Sequence, residues 1–182
     1  MKKHFLPACL HAAALAFALC TGAAYAQDAN GYADELKDFG VSATTYPKMN
    51  HYGEPTPTSI PGGKVVSTDQ LAQMLKSGAK PAVFVAYAAK KTVPGGIVMD
   101  GAGEGRLFGA DQDKFAKALE SQTAGDKAKP VVFYCHSSRC WLSYNASLHA
   151  IKLGYTNVYW YRGGRDAWKA AKQRFVEPSG RW

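Results

Sequence analysis

The sequence predicts an α/β domain of three layers, a central and mainly parallel sheet with helices on both faces, and three observations predict it. Two apolar runs lack alternation, Ala82 to Tyr87 and Val131 to Tyr134, as strands covered on both faces do. Segments with helical spacing of apolar residues fall between such runs, so strand and helix alternate along the chain. Boundary signals support the alternation, among them a capping box at Ser67 and glycines at 78 and 154.

Lys2, Lys3 and His4 precede the apolar run Ala12 to Cys20 and the small-residue stretch "TGAAYA", the pattern of a secretory signal peptide over residues 1–26. Ala24 and Ala26 suit a cleavage site that leaves a mature chain starting near Gln27. The run is shorter than the ~20 residues that span a bilayer. Leu19 stands before Cys20 where a lipoprotein signal needs a small residue. The expected product is periplasmic or secreted, with no membrane attachment after cleavage.

Residues 27–63 read as an extended leader. In "YGEPTPTSIPGG" the prolines exclude both a helix and a central strand, while Tyr46, Tyr52 and Ile60 give the segment something to bury against the domain. The domain then spans 64–177. Ser67 and Gln70 form a capping box ahead of a helix with Leu71, Met74 and Leu75 on one face, ended by Gly78. Pro81 opens the strand Ala82 to Tyr87, and a short strand Gly96 to Met99 leads into the glycine-rich loop "DGAGEG".

"DQDKFAKALESQ" is helical, with Phe115 and Leu119 four apart. The strand Val131 to Tyr134 follows, then a helix from Trp141 to Leu153 capped by Gly154, and the strand "NVYWY". "RGGRDAWKAAKQRF" supplies a turn and a last helix with Ala167 and Ala171 four apart, and residues 178–182 form a tail.

The net charge of +8 falls to +6 once Lys2 and Lys3 leave with the signal peptide. The basic residues are scattered instead of clustered, which reads as solvated surface and gives no support to a nucleic-acid partner. Three mature histidines, His51, His136 and His149, and two cysteines form no metal cluster, and no cofactor is expected. In "GAGEGR" the third glycine place of a dinucleotide fingerprint is Arg106, so that stretch is a loop.

Cys9 and Cys20 go with the signal peptide, leaving Cys135 and Cys140 in "VVFYCHSSRCW". Two cysteines so close would close a tiny loop and add little stability, so chemistry is the more attractive role. The architecture puts Cys135 at the carboxyl end of a strand and just before a helix, where ligands of α/β sheets bind. Successive amides of a tight loop can converge on an anion, and the helix dipole favours the same charge. With Arg139 nearby, Cys135 is expected to ionise at or below neutral pH, against ~8.5 for a free thiol.

"PVVFYCHSSRCW" followed by "LGYTNVYWYRGGRDAW" resembles the rhodanese (thiosulfate sulfurtransferase-like) family, with weaker likeness in "VVSTDQLAQML" and "VPGGIVMDGA". The resemblance covers Lys64 to Phe175 and implies a rhodanese-like fold. It places the catalytic cysteine on Cys135, the six-residue loop on Cys135 to Cys140, and the glycine pair on Gly163 and Gly164. By that implication the Cys135 thiolate accepts sulfane sulfur as a persulfide held by loop amides and passes it to a thiophilic acceptor. Arg139 and Cys140 join Cys135 as catalytic candidates, and His136, Ser137, Ser138, Arg139 and Trp141 are candidates for binding a small sulfur-containing anion or a thiol acceptor.

The loop departs from the family pattern. His136 stands where an arginine is usual, Ser138 where a glycine is, and Cys140 in the last place. An aspartate and an arginine that usually end the earlier strand are missing around Val85, Ala86 and Tyr87, so another group must support the loop. "C-x-x-x-x-C-W" followed by "SYNA" is similar to an exported subgroup associated with pyrroloquinoline-quinone-dependent catabolism. That likeness implies an exported redox or quinoprotein partner.

Cys140 opens other readings. It either faces Cys135, making a dithiol/disulfide redox pair, or tucks into the core, and a third reading is a non-catalytic accessory module of a quinoprotein system. A phosphatase would carry an arginine where this chain has Trp141. His136 either tunes the nucleophile or faces solvent. Arg162 and Arg165 either attract an anionic donor or decorate the surface. Trp141, Trp160 and Trp168 suit the core, and the "NAS" acceptor at Asn145 falls inside a helix.

Overall fold

A computed structural model describes residues 32–182, apart from 33 and 79. The expected signal peptide, its cleavage before Gln27, and Cys9 and Cys20 lie outside the described residues.

β1 (Lys64–Val65) leads through Ser67 into α1 (Thr68–Lys76). The expected capping box is there: the Ser67 hydroxyl accepts from the Gln70 amide, and the Gln70 side chain accepts from the Ser67 amide. Glu35 adds a second cap, its Oε1 accepting from the Thr68 amide at 2.6 Å and from the Thr68 hydroxyl at 2.8 Å. Leu71 is wholly buried, with Met74 and Leu75 half-buried beside it. The helix stops without the expected glycine cap, because Ser77 turns extended and its amide bonds the Gln73 and Met74 carbonyls.

The remaining elements are β2 (Ala82–Val85), β3 (Gly96–Val98), α2 (Ala110–Thr123), β4 (Val131–Tyr134), α3 (Trp141–Lys152), β5 (Val158–Tyr161), α4 (Gly164–Ala170) and β6 (Gly180–Arg181). The strands form one sheet in the order β1-β5-β4-β2-β3-β6, and all its pairings are parallel. The fold class is therefore the α/β arrangement that the alternation predicts.

Both faces of the sheet are covered, which is why the strands show no polar alternation. Val83, Val85, Val132 and Tyr134 pack with Leu71 of α1 and Trp168 of α4. The intervening Phe84, Val131 and Phe133 pack with Phe115 and Leu119 of α2 and Ala146 and Ala150 of α3. Phe84 and Phe133 stack at 5.2 Å across neighbouring strands, and burying each ring stabilises the fold by ~1.5–3 kcal/mol.

Two stretches differ from expectation. The run 178–182 is no free tail: β6 pairs with β3, the Trp182 amide bonds the Val98 carbonyl, and the Trp182 indole N–H donates to the Asp100 carbonyl at 2.8 Å. The last helix ends at Ala170, with Ala171 as its cap, because Lys172 takes a left-handed backbone (φ 54°) and the Gln173 amide turns back to the Trp168 carbonyl.

The leader lies against α3. Ile60 joins Trp141, Tyr144, Leu148 and Trp160 in a third apolar cluster, with Val41 and Tyr52 packed on it. Tyr46, expected to be buried, is 78% exposed; the anchoring is by hydrogen bonds instead. The Tyr144 hydroxyl accepts from the Thr44 amide at 2.9 Å and donates to its carbonyl at 2.7 Å, and Asn145 clamps both backbone groups of Lys48. Asn145 is wholly buried by this role, which removes it as a glycosylation acceptor.

Candidate active site

β4 pairs with β2 on one side and β5 on the other, so its carboxyl end lies in the middle of the sheet. Cys135 is the next residue, and the loop returns the chain to Cys140, which is the N-cap residue of α3. Strand and helix thus fix the two ends of the loop.

α4 holds the first half of the loop by its backbone. The Arg165 amide donates to the Cys135 carbonyl and the Asp166 amide to the His136 carbonyl, each at 2.9 Å. This close approach explains the second glycine of the pair. Gly164 has φ 59°, and a Cβ there would run into the Cys135 carbonyl oxygen and lie 2.9 Å from the His136 carbonyl carbon. A Cβ at Gly163 would lie 2.8 Å from Glu35 Oε1.

The leader holds the middle of the loop. Thr56 donates to the Ser138 carbonyl through its amide at 3.2 Å and its hydroxyl at 2.6 Å. Arg162 holds Thr56 in turn, by Nε to its hydroxyl at 3.1 Å and by Nη2 to its carbonyl at 3.0 Å. The same guanidinium bonds the carbonyls of Asp34, Glu35 and Lys37. Arg162 is 1% exposed, so it is neither surface decoration nor a collector of substrate anions. Arg165 stays exposed.

The choice left open for Cys140 is resolved: it faces Cys135 and is bonded to it, with the Cα atoms 6.1 Å apart. A disulfide sulfur has no charge to hold, so the expected Cys135 thiolate belongs to a reduced form of this loop. The expected ring of amides is also only partial. The Cys140 amide donates to the Ser137 carbonyl, the Arg139 amide to the Ser137 hydroxyl, and the Trp141 amide to the Tyr52 carbonyl. Among the described residues, the amides of His136, Ser137 and Ser138 have no acceptor. Ser138 is wholly buried, and its hydroxyl finds no hydrogen-bond partner.

His136 is exposed and stacks on Tyr87 with ring centroids 3.8 Å apart. Burial, then the Arg165 charge, holds its imidazole below the ordinary histidine range, with Asp166 opposing. It remains neutral at neutral pH. Tyr87 thus supports the loop where the sequence lacks the usual aspartate and arginine. Arg139, expected beside the cysteine, stacks over the Phe39 ring at 4.6 Å, and Arg162 lies over the same ring at 5.2 Å. Trp141 is 5% exposed and donates from its indole to the Pro55 carbonyl at 3.0 Å, so it packs the leader instead of facing an open site.

Thr56, Tyr87 and Phe39 are site residues that sequence reasoning missed. Thr56 carried no signal beyond its place between prolines. A cleft of about 550 Å³ lined by Leu107, Phe108, Phe115, Leu148, His149 and Ile151 includes no residue of the cysteine loop. Among the described residues, no cluster of three or more histidines, cysteines or carboxylates could hold a metal ion, and no helix is long and apolar enough to cross a membrane.

The family model described as Rhodanese-like domain matches residues 67–171, more than half of the chain. The chain belongs to the rhodanese-like family. Among solved structures it is similar to a thiosulfate sulfurtransferase from Pseudomonas aeruginosa, at 20% identity and a TM-score of 0.49 over 65% of this chain and 21% of that one. It is also similar to the full-length protein from Lactobacillus plantarum, at 20% identity and a TM-score of 0.47, covering 62% of this chain and 87% of that one. A polysulfide-sulfur transferase homodimer from Wolinella succinogenes gives 16% identity and a TM-score of 0.44, covering 65% and 81%. This chain therefore spans about a fifth of the Pseudomonas protein. No curated protein matches it. In this rhodanese-like domain the loop after β4 is closed by a disulfide and shielded by the leader segment.

Proposed function

We propose that the chain is an exported rhodanese-like sulfurtransferase in which Cys135, once its bond to Cys140 is reduced, accepts a sulfane sulfur as a persulfide. The observation that carries this reading is the setting of Cys135. It stands at the carboxyl end of the central strand, heading a loop whose amides at His136, Ser137 and Ser138 lack acceptors and whose Ser138 hydroxyl lacks a partner. Unpaired donors around a sulfur favour its anionic forms through charge-assisted hydrogen bonds.

The reduced Cys135 thiolate attacks the outer sulfur of a donor such as thiosulfate. A Cys135 sulfur–sulfur bond forms, the donor's own breaks, and sulfite leaves with the electron pair. The persulfide then hands its outer sulfur to a thiophilic acceptor. Export rests on the signal-like pattern from Lys2 to Ala26. The paired cysteines followed by Trp141 support placement in the subgroup linked to quinoprotein catabolism, and an exported redox or quinoprotein partner with it.

Reduced protein, freed of reductant and mixed with thiosulfate, is expected to release sulfite, and Cys135→Ala not to. Absence of sulfite release from thiosulfate and from polysulfide alike would remove the sulfur-accepting role. The bond between Cys135 and Cys140 favours a second reading, a dithiol/disulfide redox protein. On that reading Cys140→Ser abolishes thiol–disulfide cycling with a partner, and no sulfur is ever loaded.

A further inference from the structure

Cys135 is 1% exposed, and the loop around it is roofed by Thr56, Arg162 and the leader. Of the two cysteines Cys140, 7% exposed, is the more open, so an outside thiol meets it before Cys135. Cys140 has no such approach to make: it is held at the N-cap of α3, and the backbone separation of 6.1 Å lies within the range that a disulfide spans. Both ends of the loop are fixed by regular structure, so the two sulfurs meet without rearrangement of strand or helix. The nearest thiophile to a persulfide on Cys135 is therefore in the chain itself.

We propose that Cys140 is the acceptor of the first step, and that this domain discharges sulfane sulfur as hydrosulfide, a reductase activity, with the Cys135–Cys140 disulfide as its end state. The inference rests on sulfur acceptance by Cys135 as proposed above. Cys140 attacks the Cys135 Sγ of the persulfide, forming the Cys135–Cys140 bond and breaking the bond to the outer sulfur. That sulfur leaves with the bonding electron pair and takes up the proton of the Cys140 thiol as hydrosulfide. The two thiols are oxidised to the disulfide, and the sulfane sulfur is reduced by two electrons. Turnover then requires an exported dithiol protein to reduce the pair by thiol–disulfide exchange.

The free amides of His136 and Ser137 fit this sequence, because they follow Cys135 directly in the loop, where the outer sulfur carries its charge before it departs. Cys140, at the N-cap of α3, spends its own amide on the Ser137 carbonyl. Cys135 is the sulfur that is loaded on the reading above, and Cys140 is the one placed to attack it.

The test uses the mature chain, reduced, freed of reductant and given thiosulfate alone. Wild type is expected to release sulfite and hydrosulfide in equal amounts and to finish with the mass of the disulfide. Cys140→Ser is expected to release the same sulfite, no hydrosulfide, and to retain the added sulfur. Wild type that keeps its persulfide as long as Cys140→Ser does would overturn the proposal while leaving sulfur acceptance intact. Sulfite release by neither protein would instead overturn sulfur acceptance and this inference together. Sulfite release by Cys140→Ser also serves as the control that the variant is folded.

Discussion

Thr56 grips the Ser138 carbonyl with both its amide and its hydroxyl, tying a leader outside the α/β core to the middle of the cysteine loop. The bond is wholly buried at both ends. In Thr56→Val the Ser138 carbonyl keeps one donor, and the Arg162 Nε loses its acceptor. A stability loss of ~1–3 kcal/mol is expected in urea unfolding. A loss within experimental error would mean that the leader does not brace the loop.

Arg162 supplies hydrogen bonds to Thr56 and to the carbonyls of Asp34, Glu35 and Lys37 from a buried position. Arg162→Met preserves much of the volume and strands those carbonyls. Unfolding stability should fall by at least ~3 kcal/mol. Proteolysis should also begin to cut within residues 34–63, and a variant as resistant as wild type would contradict the clamp.

Gly164 and Gly154 share a positive φ, 59° and 87°, but only Gly164 has backbone where a side chain would go. Alanine at either position carries the left-handed cost of roughly 1–2 kcal/mol. Gly164→Ala should lose clearly more than Gly154→Ala and should also slow sulfite release. Equal losses would show that the approach of α4 to the loop is loose.

The Ser138 hydroxyl has nothing to lose in the disulfide state, since it is buried without a partner. Ser138→Ala is therefore expected to leave the oxidised protein as stable as wild type, or up to ~1 kcal/mol more stable. The same change in Cys140→Ser protein should shorten the life of the persulfide, followed by mass. An unchanged lifetime would separate this hydroxyl from sulfur binding.

Burial lowers the pKa of His149 below its ordinary 6.5, with Lys152 adding and the hydrogen bond to the Glu104 carbonyl opposing; His136 shifts the same way, again chiefly by burial. The unfolded chain therefore takes up these protons first. Stability from this source is complete above about 6.5 and is lost as pH falls below it. Glu35, raised above 4.5 chiefly by burial, acts in the opposite sense, its contribution being lost as pH rises. His149→Gln, which keeps a donor for Glu104, should flatten the fall below 6.5 relative to wild type. An unaltered profile would contradict the assignment.

How much of this was legible depended on how local each signal is. The α/β order followed from runs such as Val131 to Tyr134 and from the Ser67–Gln70 box, where a few neighbouring residues decide the outcome. β6 was not legible, because Gly180 and Arg181 carry no apolar pattern and pair only through a neighbouring strand. Arg162 and Thr56 were missed as loop supports for a related reason: their partners lie up to 128 positions away and are mostly backbone carbonyls, which have no sequence identity. The nucleophile loop was legible from strand, cysteine and helix. Whether Cys140 faced the other thiol depended on how that loop folds, which spacing alone does not decide.

The central claim is that sulfur is taken up at Cys135 and nowhere else in the chain. Thiosulfate isotopically labelled in its outer sulfur, given to reduced Cys140→Ser protein and followed by digestion and peptide mass analysis without reductant, tests it directly. The label is expected on the peptide containing Cys135. An unlabelled Cys135 peptide, under conditions where the protein is shown to be reduced and folded, would contradict the account.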